Sequence, residues 1–155
     1  MNRIAGDPSS MTTSMSNKVF VDSGAFIALA NEADQCHAAA KNCLQELSAL
    51  KPQLFTSNFV LDETYTRIRR KAGLQSALAF GERVQSNREL KIVTVDARTE
   101  KWAWEVFKKY TDQPFSYTDC TSFALMQIKG ISEAFTFDKD FRIFGFRVLP
   151  LLSPA

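Results

Sequence analysis

The run Lys18-Val19-Phe20-Val21-Asp22-Ser23-Gly24-Ala25 decides how this chain is read. Val19, Phe20 and Val21 are consecutive apolar residues of β-branched and aromatic type. They follow a polar segment and stop at an acid. A strand buried on both faces reads as such a continuous run rather than as an alternation. Asp22 then stands where the strand leaves the sheet, and Ser23 and Gly24 turn the chain into a helix. In open α/β sheets ligands gather at the carboxyl ends of the strands. Asp22 is therefore a candidate site residue, with a plain helix cap as its competing role.

Outward from this stretch, helix and strand signals alternate. Residues 25–31 read as a short first helix. A second begins at Asp34 and is closed by Pro52. Leu54-Phe55-Thr56 is a brief strand, after which Ser57 or Asn58 caps a helix that ends at Gly73. Residues 74–87 form another helix, and residues 90–95 a strand. Asp96 caps the next helix, whose apolar face is expected from Trp102, Val106 and Phe107. Pro114 breaks the chain, and Ser116 with Asp119 has the form of a capping box. The helix behind it ends at Gly130. Residues 134–137 read as a strand ending in Asp138-Lys139-Asp140, and residues 146–149 as a last strand. Strands alternating with helices predict a parallel sheet covered on both faces.

The bulk composition narrows the class. A chain of 155 residues, 45% hydrophobic and 23% charged with both signs mixed, suits one globular domain. Residues 18–150 are expected to be that domain. Residues 1–17 read as a flexible N-terminal tail and 151–155 as a C-terminal tail. No apolar run approaches the ~18 residues of a membrane span, and the first residues do not read as a secretory signal. Cys36, Cys43 and Cys120 are an odd, irregularly spaced set. That pattern predicts a reduced, cytoplasmic protein. The net charge of +2 decides little; the grouping of Arg67, Arg69, Arg70 and Lys71 says more.

Four acids fall at comparable places. Asp22 and Asp138 end strands, Asp119 opens a helix, and Glu63 lies early in a helix that follows a strand. In a doubly wound sheet, strand ends and helix starts share one edge, so the four can converge. Two carboxylates ~4 Å apart repel by roughly 4 kcal/mol at an effective dielectric near 20. A divalent cation reverses that sign, and oxygen-only ligands favour hard ions such as Mg²⁺ or Mn²⁺. Such a site suits hydrolysis of a phosphodiester by water.

At these residues the chain resembles the PIN domain family, and within it the VapC-type toxin ribonucleases. The resemblance is carried by V-F-V-D-S at Asp22, N-F-V-L-D-E-T at Glu63, F-S-Y-T-D-C at Asp119 and A-F-T-F-D-K-D-F at Asp138. It spans residues 18–150. It implies a three-layer α/β/α sandwich around a parallel sheet, and endoribonuclease activity as the toxin of a toxin–antitoxin pair. Asp22, Glu63, Asp119 and Asp138 would be the catalytic acids that bind Mg²⁺ or Mn²⁺, with Asp140 auxiliary. Ser23 would be the small polar residue after the first acid. The resemblance also implies an RNA substrate, a protein antitoxin and, in many members, a homodimer.

Blander roles compete. Asp62 neighbours Glu63 but faces another way, so one of the two is surface. Arg67 and Arg70 follow Glu63 by four and seven residues and are expected on its helix face, where they could contact RNA phosphate; a solvated helix end is the alternative. Cys36-His37 lacks zinc spacing. Trp102 and Trp104 could be divided between core and surface. Two other functions stay open: a catalytically silent binding module of the same fold, and a receiver-like phosphoacceptor domain using Asp96. The sequence has no dinucleotide-binding or P-loop glycine pattern.

Overall fold

The structure is a computed structural model and describes residues 17–151. Apart from Asn17 and Leu151, the two expected tails lie outside the described residues. The opening run forms β1 (Lys18–Val21), in which Val19 and Phe20 are fully buried and Val21 nearly so. It is followed by α1 (Ser23–Ala30), α2 (His37–Leu50), β2 (Gln53–Ser57), α3 (Asn58–Ala72) and α4 (Leu74–Ser86). Then come β3 (Leu90–Val93), α5 (Ala97–Lys109), α6 (Tyr117–Lys129), β4 (Glu133–Phe135), α7 (Asp140–Phe144) and β5 (Arg147–Leu149).

The five strands make one parallel sheet in the order β3-β2-β1-β4-β5. Side chains alternate across a strand, and β1 shows the result. Phe20 packs with Phe55, Ala134 and Val148 of neighbouring strands, against Ala103, Phe123 and Phe141 from α5, α6 and α7. Val19 and Val21 join Phe135 and Leu149 on the opposite face, against Ala25 and Ala28 of α1 and Ala40, Cys43 and Leu47 of α2. A third cluster, with Ile27, Leu61, Ile68, Phe80 and Val84, ties α1, α3 and α4 together. Helices thus cover both faces, which gives the α/β/α sandwich. No helix of the described residues is long and apolar enough to cross a membrane.

The chain leaves β1 towards β2 and β3, then returns to β4 and β5 on the other side. The order of strands therefore switches between β1 and β4, where an open sheet parts to form a crevice.

Element boundaries differ from the sequence expectation where side chains take over backbone groups. α2 starts at His37, not Asp34, because Asp34 Oδ1 accepts from the Cys36 amide at 2.8 Å and makes a local turn first. β3 stops at Val93 because the Val95 amide donates to Asn58 Oδ1 at 2.8 Å. α7 has only five residues, too few for a helical period to be recognised. The apolar face expected on α5 is corrected in part: Val106 packs against the core, but the large rings do not lead inward. Trp102, Trp104 and Phe107 are each nearly half exposed, while Thr99 and Ala103 are buried. Large rings dominate a reading of periodicity, but the fully inward positions of α5 are small residues, and Phe107 meets Tyr117 of α6 edge-on at the margin.

Phe123 holds the densest part of the core: it is fully buried, stacks on Phe144 at 4.4 Å and meets Phe115 and Phe141 edge-on. Phe123→Ala is expected to lower unfolding free energy by about 3–5 kcal/mol, read by urea denaturation followed by far-UV circular dichroism.

Candidate active site

The carboxyl edge of the sheet carries a cleft of about 610 Å³ lined by Asp22, Ser23, Glu63, Arg67, Asp119, Asp138, Lys139 and Asp140, among others. All four acids expected from the sequence reach it, and so does Asp140. Asp62 is exposed and does not line the cleft.

Each acid is oriented by its own element. Asp22 stands at the N-cap position of α1 but its side chain makes no capping bond. Instead Thr136, just beyond β4, donates its hydroxyl to Asp22 Oδ2 at 2.8 Å. The same hydroxyl accepts from the Asp138 amide at 3.0 Å. Thr136 thus spans the β1–β4 crevice and fixes two acids at once. Asp138 Oδ1 in turn accepts from the Asp140 amide at 2.9 Å. Asp119 sits in the capping box of α6: its amide donates to Ser116 Oγ at 3.0 Å, and its Oδ2 accepts from the Ser116 amide at 3.2 Å. Ser23 donates to Glu63 Oε2 at 3.0 Å, and Arg67 reaches Ser23 Oγ at 3.5 Å. The bonds that orient Glu63, Asp119 and Asp138 each use one carboxylate oxygen, which leaves the second as ligand capacity.

Among the described residues, Asp119, Asp138 and Asp140 each bring one carboxylate oxygen to within 4.8 Å of the other two. Asp140 is therefore as close to the others as the acids expected to be primary. Asp22 and Asp119 are 4% and 8% exposed. Burial pushes the Asp22 carboxyl up to about 6; the Thr136 hydroxyl and Ser23 amide oppose this, and the charges of Glu63 and Asp138 add to it. Burial likewise pushes Asp119 up to about 7, helped by Asp22 and Asp138. Asp140 is also raised, by burial and by Asp138. These acids resist their own ionisation, which a bound cation would favour.

Other candidates fall elsewhere. Arg67 lines the cleft, but Arg70 does not. A seven-residue step moves it roughly 10 Å along α3, past the site although near the same face. Asp96 caps α5 through Thr99, whose amide and hydroxyl lie at 2.9 and 2.8 Å, and it lines no part of the cleft. That removes the support for a phosphoacceptor. The His37 Nδ1–H donates to the Ala28 carbonyl at 2.7 Å, a structural role. Sequence reasoning missed Thr136 and Lys139. In A-F-T-F-D, a threonine reads as ordinary strand filler, and nothing short of the β1–β4 pairing marks it.

The chain matches the family model of the PIN domain over residues 19–147. The chain belongs to the PIN domain family. Among PIN-domain relatives, it is 38% identical over 129 residues to the 23S rRNA-specific endonuclease VapC20 of Mycobacterium tuberculosis (strain ATCC 25618 / H37Rv), which covers 83% of this chain and 95% of that one. The crystal structure of VapC20, described as a sarcin–ricin loop cleaving toxin, superposes with a TM-score of 0.75 and 37% identity over 83% of this chain and 95% of the other. The PIN fold recurs in VapBC2 of Rickettsia felis bound to a promoter DNA fragment, at a TM-score of 0.66 and 13% identity, covering 84% of this chain and 96% of that one.

A prediction follows from the raised acids. Their folded-state pKa values of about 6 and 7 exceed the ordinary 3.8, so between these values the folded state binds more protons than the unfolded one. Their contribution to stability is present below about pH 4 and is lost as pH rises through 6 and 7. In EDTA, the melting temperature of Asp119→Asn relative to the unsubstituted chain should climb steadily over that interval. Scanning calorimetry at a series of pH values reads the difference.

Proposed function

We propose that this PIN-domain chain is a divalent-metal-dependent endoribonuclease, the toxin of a toxin–antitoxin pair, and that it cuts 23S ribosomal RNA. The observation that carries the reading is the convergence of Asp22, Glu63, Asp119, Asp138 and Asp140 on one cleft. It occurs in a chain 38% identical to a 23S rRNA-specific endonuclease. The antitoxin is inferred from the likeness to a VapC toxin, and the reading implies a cytoplasmic site of action, where ribosomes are.

The donor set fits a hard divalent ion. Every candidate ligand is a carboxylate oxygen, and no histidine or cysteine lines the cleft. Asp119, Asp138 and Asp140 would hold such an ion, Mg²⁺ or Mn²⁺, with Asp22 and Glu63 completing the acidic wall. When bound, the ion supplies charge neutralisation at a phosphoryl oxygen and lowers the pKa of a water. The protein residues do the rest. Thr136 and Ser116 hold Asp22 and Asp119 in place, so little reorganisation is needed as charge develops. Arg67, at the rim, can donate to a non-bridging phosphate oxygen. Ser23 couples that guanidinium to Glu63, so substrate binding and the acidic wall are mechanically linked.

The test is cleavage of ribosomes and of total RNA with Mg²⁺ or Mn²⁺, against EDTA, with cut ends mapped by primer extension. Asp22→Asn and Asp119→Asn should each lose at least about a hundredfold in kcat/KM, roughly 2.7 kcal/mol of transition-state stabilisation, while keeping the native circular dichroism spectrum. Cleavage by either variant at the unsubstituted rate, or cutting that persists in EDTA, would sink the reading.

A further inference from the structure

RNA is a polyanion, and five acids line this cleft. A bound cation can offset the acids at the scissile phosphate alone. The phosphates on either side need counter-charge from the protein. Arg67 supplies one such charge. Two more cations lie in the direction of α7.

Lys139 lies between Asp138 and Asp140 and is exposed. It lines the acidic cleft and also a second cavity of about 460 Å³ that takes in Arg142. Phe137, Asp138 and Lys139 border both spaces, so the two are adjacent and meet at this segment. Arg142 is exposed and three residues further on, in α7, and residues at that spacing are neighbours on a helical surface. The ion pairs among the described residues, Lys108–Glu105 and Arg147–Glu133, involve neither cation. The Lys139 charge is felt by Asp140, but neither cation is held in one of these ion pairs, and an exposed arginine and lysine beside a site that must admit RNA have the chemistry of phosphate ligands.

We propose that Lys139 and Arg142 bind the phosphate of a nucleotide flanking the one that is cut, so that the RNA passes Lys139 from the acidic cleft into the cavity beside α7. The proposal rests on the ribonuclease reading above. It assigns these residues to substrate binding, not to the chemical step. Their loss should therefore weaken binding and its salt dependence while turnover stays the same.

The experiment compares Lys139→Ala/Arg142→Ala with a control of equal charge change, Arg88→Ala/Lys129→Ala. Both control residues are exposed and precede β3 and β4, at the opposite edge of the sheet. The probe is a fluorescein-labelled hairpin RNA with the sarcin–ricin loop sequence. Steady-state cleavage is measured in Mg²⁺, and equilibrium binding in EDTA from about 50 to 200 mM salt. The expected result for Lys139→Ala/Arg142→Ala is a rise of about tenfold in KM and Kd, kcat within about twofold, and a salt slope shallower by about 1.4, from ~0.7 per contact on single-stranded RNA. Lys139→Arg/Arg142→Lys should restore most of the loss. A variant that matches the control in KM, Kd and slope overturns the proposal, and so does a fall in kcat at unchanged KM. If the unsubstituted protein binds the RNA but does not cut it, the ribonuclease reading fails, and the binding arm still decides the proposal. If it neither binds nor cuts, both fail.

Discussion

Several carboxylates held side by side and out of water are the constraint around which this fold is arranged. Unpaired, two such charges at ~4 Å cost roughly 4 kcal/mol even at an effective dielectric near 20. Asp22 and Asp119 are nearly buried as well, which adds desolvation. The chain tolerates this because the acids are fixed by parts of the structure that are stable for other reasons. β1 is locked by apolar packing on both faces. Asp119 is tied into the capping box of a 13-residue helix, whose positive end also favours an anion. The protein accepts a local electrostatic penalty and lets a large core carry it.

The switch in strand order turns that tolerance into a site. β1 pairs with β4 in parallel, with Val21 opposite Phe135. The next residues out of the ladder are Asp22 and Thr136, and they meet through the 2.8 Å hydrogen bond. A slip of one residue in this register would turn Thr136 to the other face and separate Asp22 from its donor. Correct pairing of the central strands and correct placement of the acids are thus the same event.

That coupling explains what the sequence did and did not disclose. Continuous apolar runs such as Val19-Phe20-Val21 identify buried strands, and the acids that end them point to the carboxyl edge. Asp119 was legible because a capping box is a local pattern. Glu63 was separated from Asp62 by the family motif and by Arg67 one turn on, and the structure brings Glu63, and not Asp62, to the cleft. Thr136 was hidden because its role depends on a strand more than a hundred residues away. Asp140 could be ranked below the other acids only until the turn formed by Asp138 and the Asp140 amide was seen. On α5, side-chain size misled: Ala103 packs inward and Trp102 does not, since close approach of two helices favours the smaller residue.

The exposure of α5 also determines what the protein's own light emission reports. Its two tryptophans, Trp102 and Trp104, are both on this helix and about half exposed, and Trp104 lies 5.9 Å from Phe107. Neither indole is in the core, so their fluorescence begins in a partly aqueous environment and reports the surroundings of α5 rather than the packed rings of the interior. It responds instead to whatever covers the outer surface of α5. Intrinsic fluorescence in this chain is therefore a local optical gauge of one helix surface, blind to much of the interior.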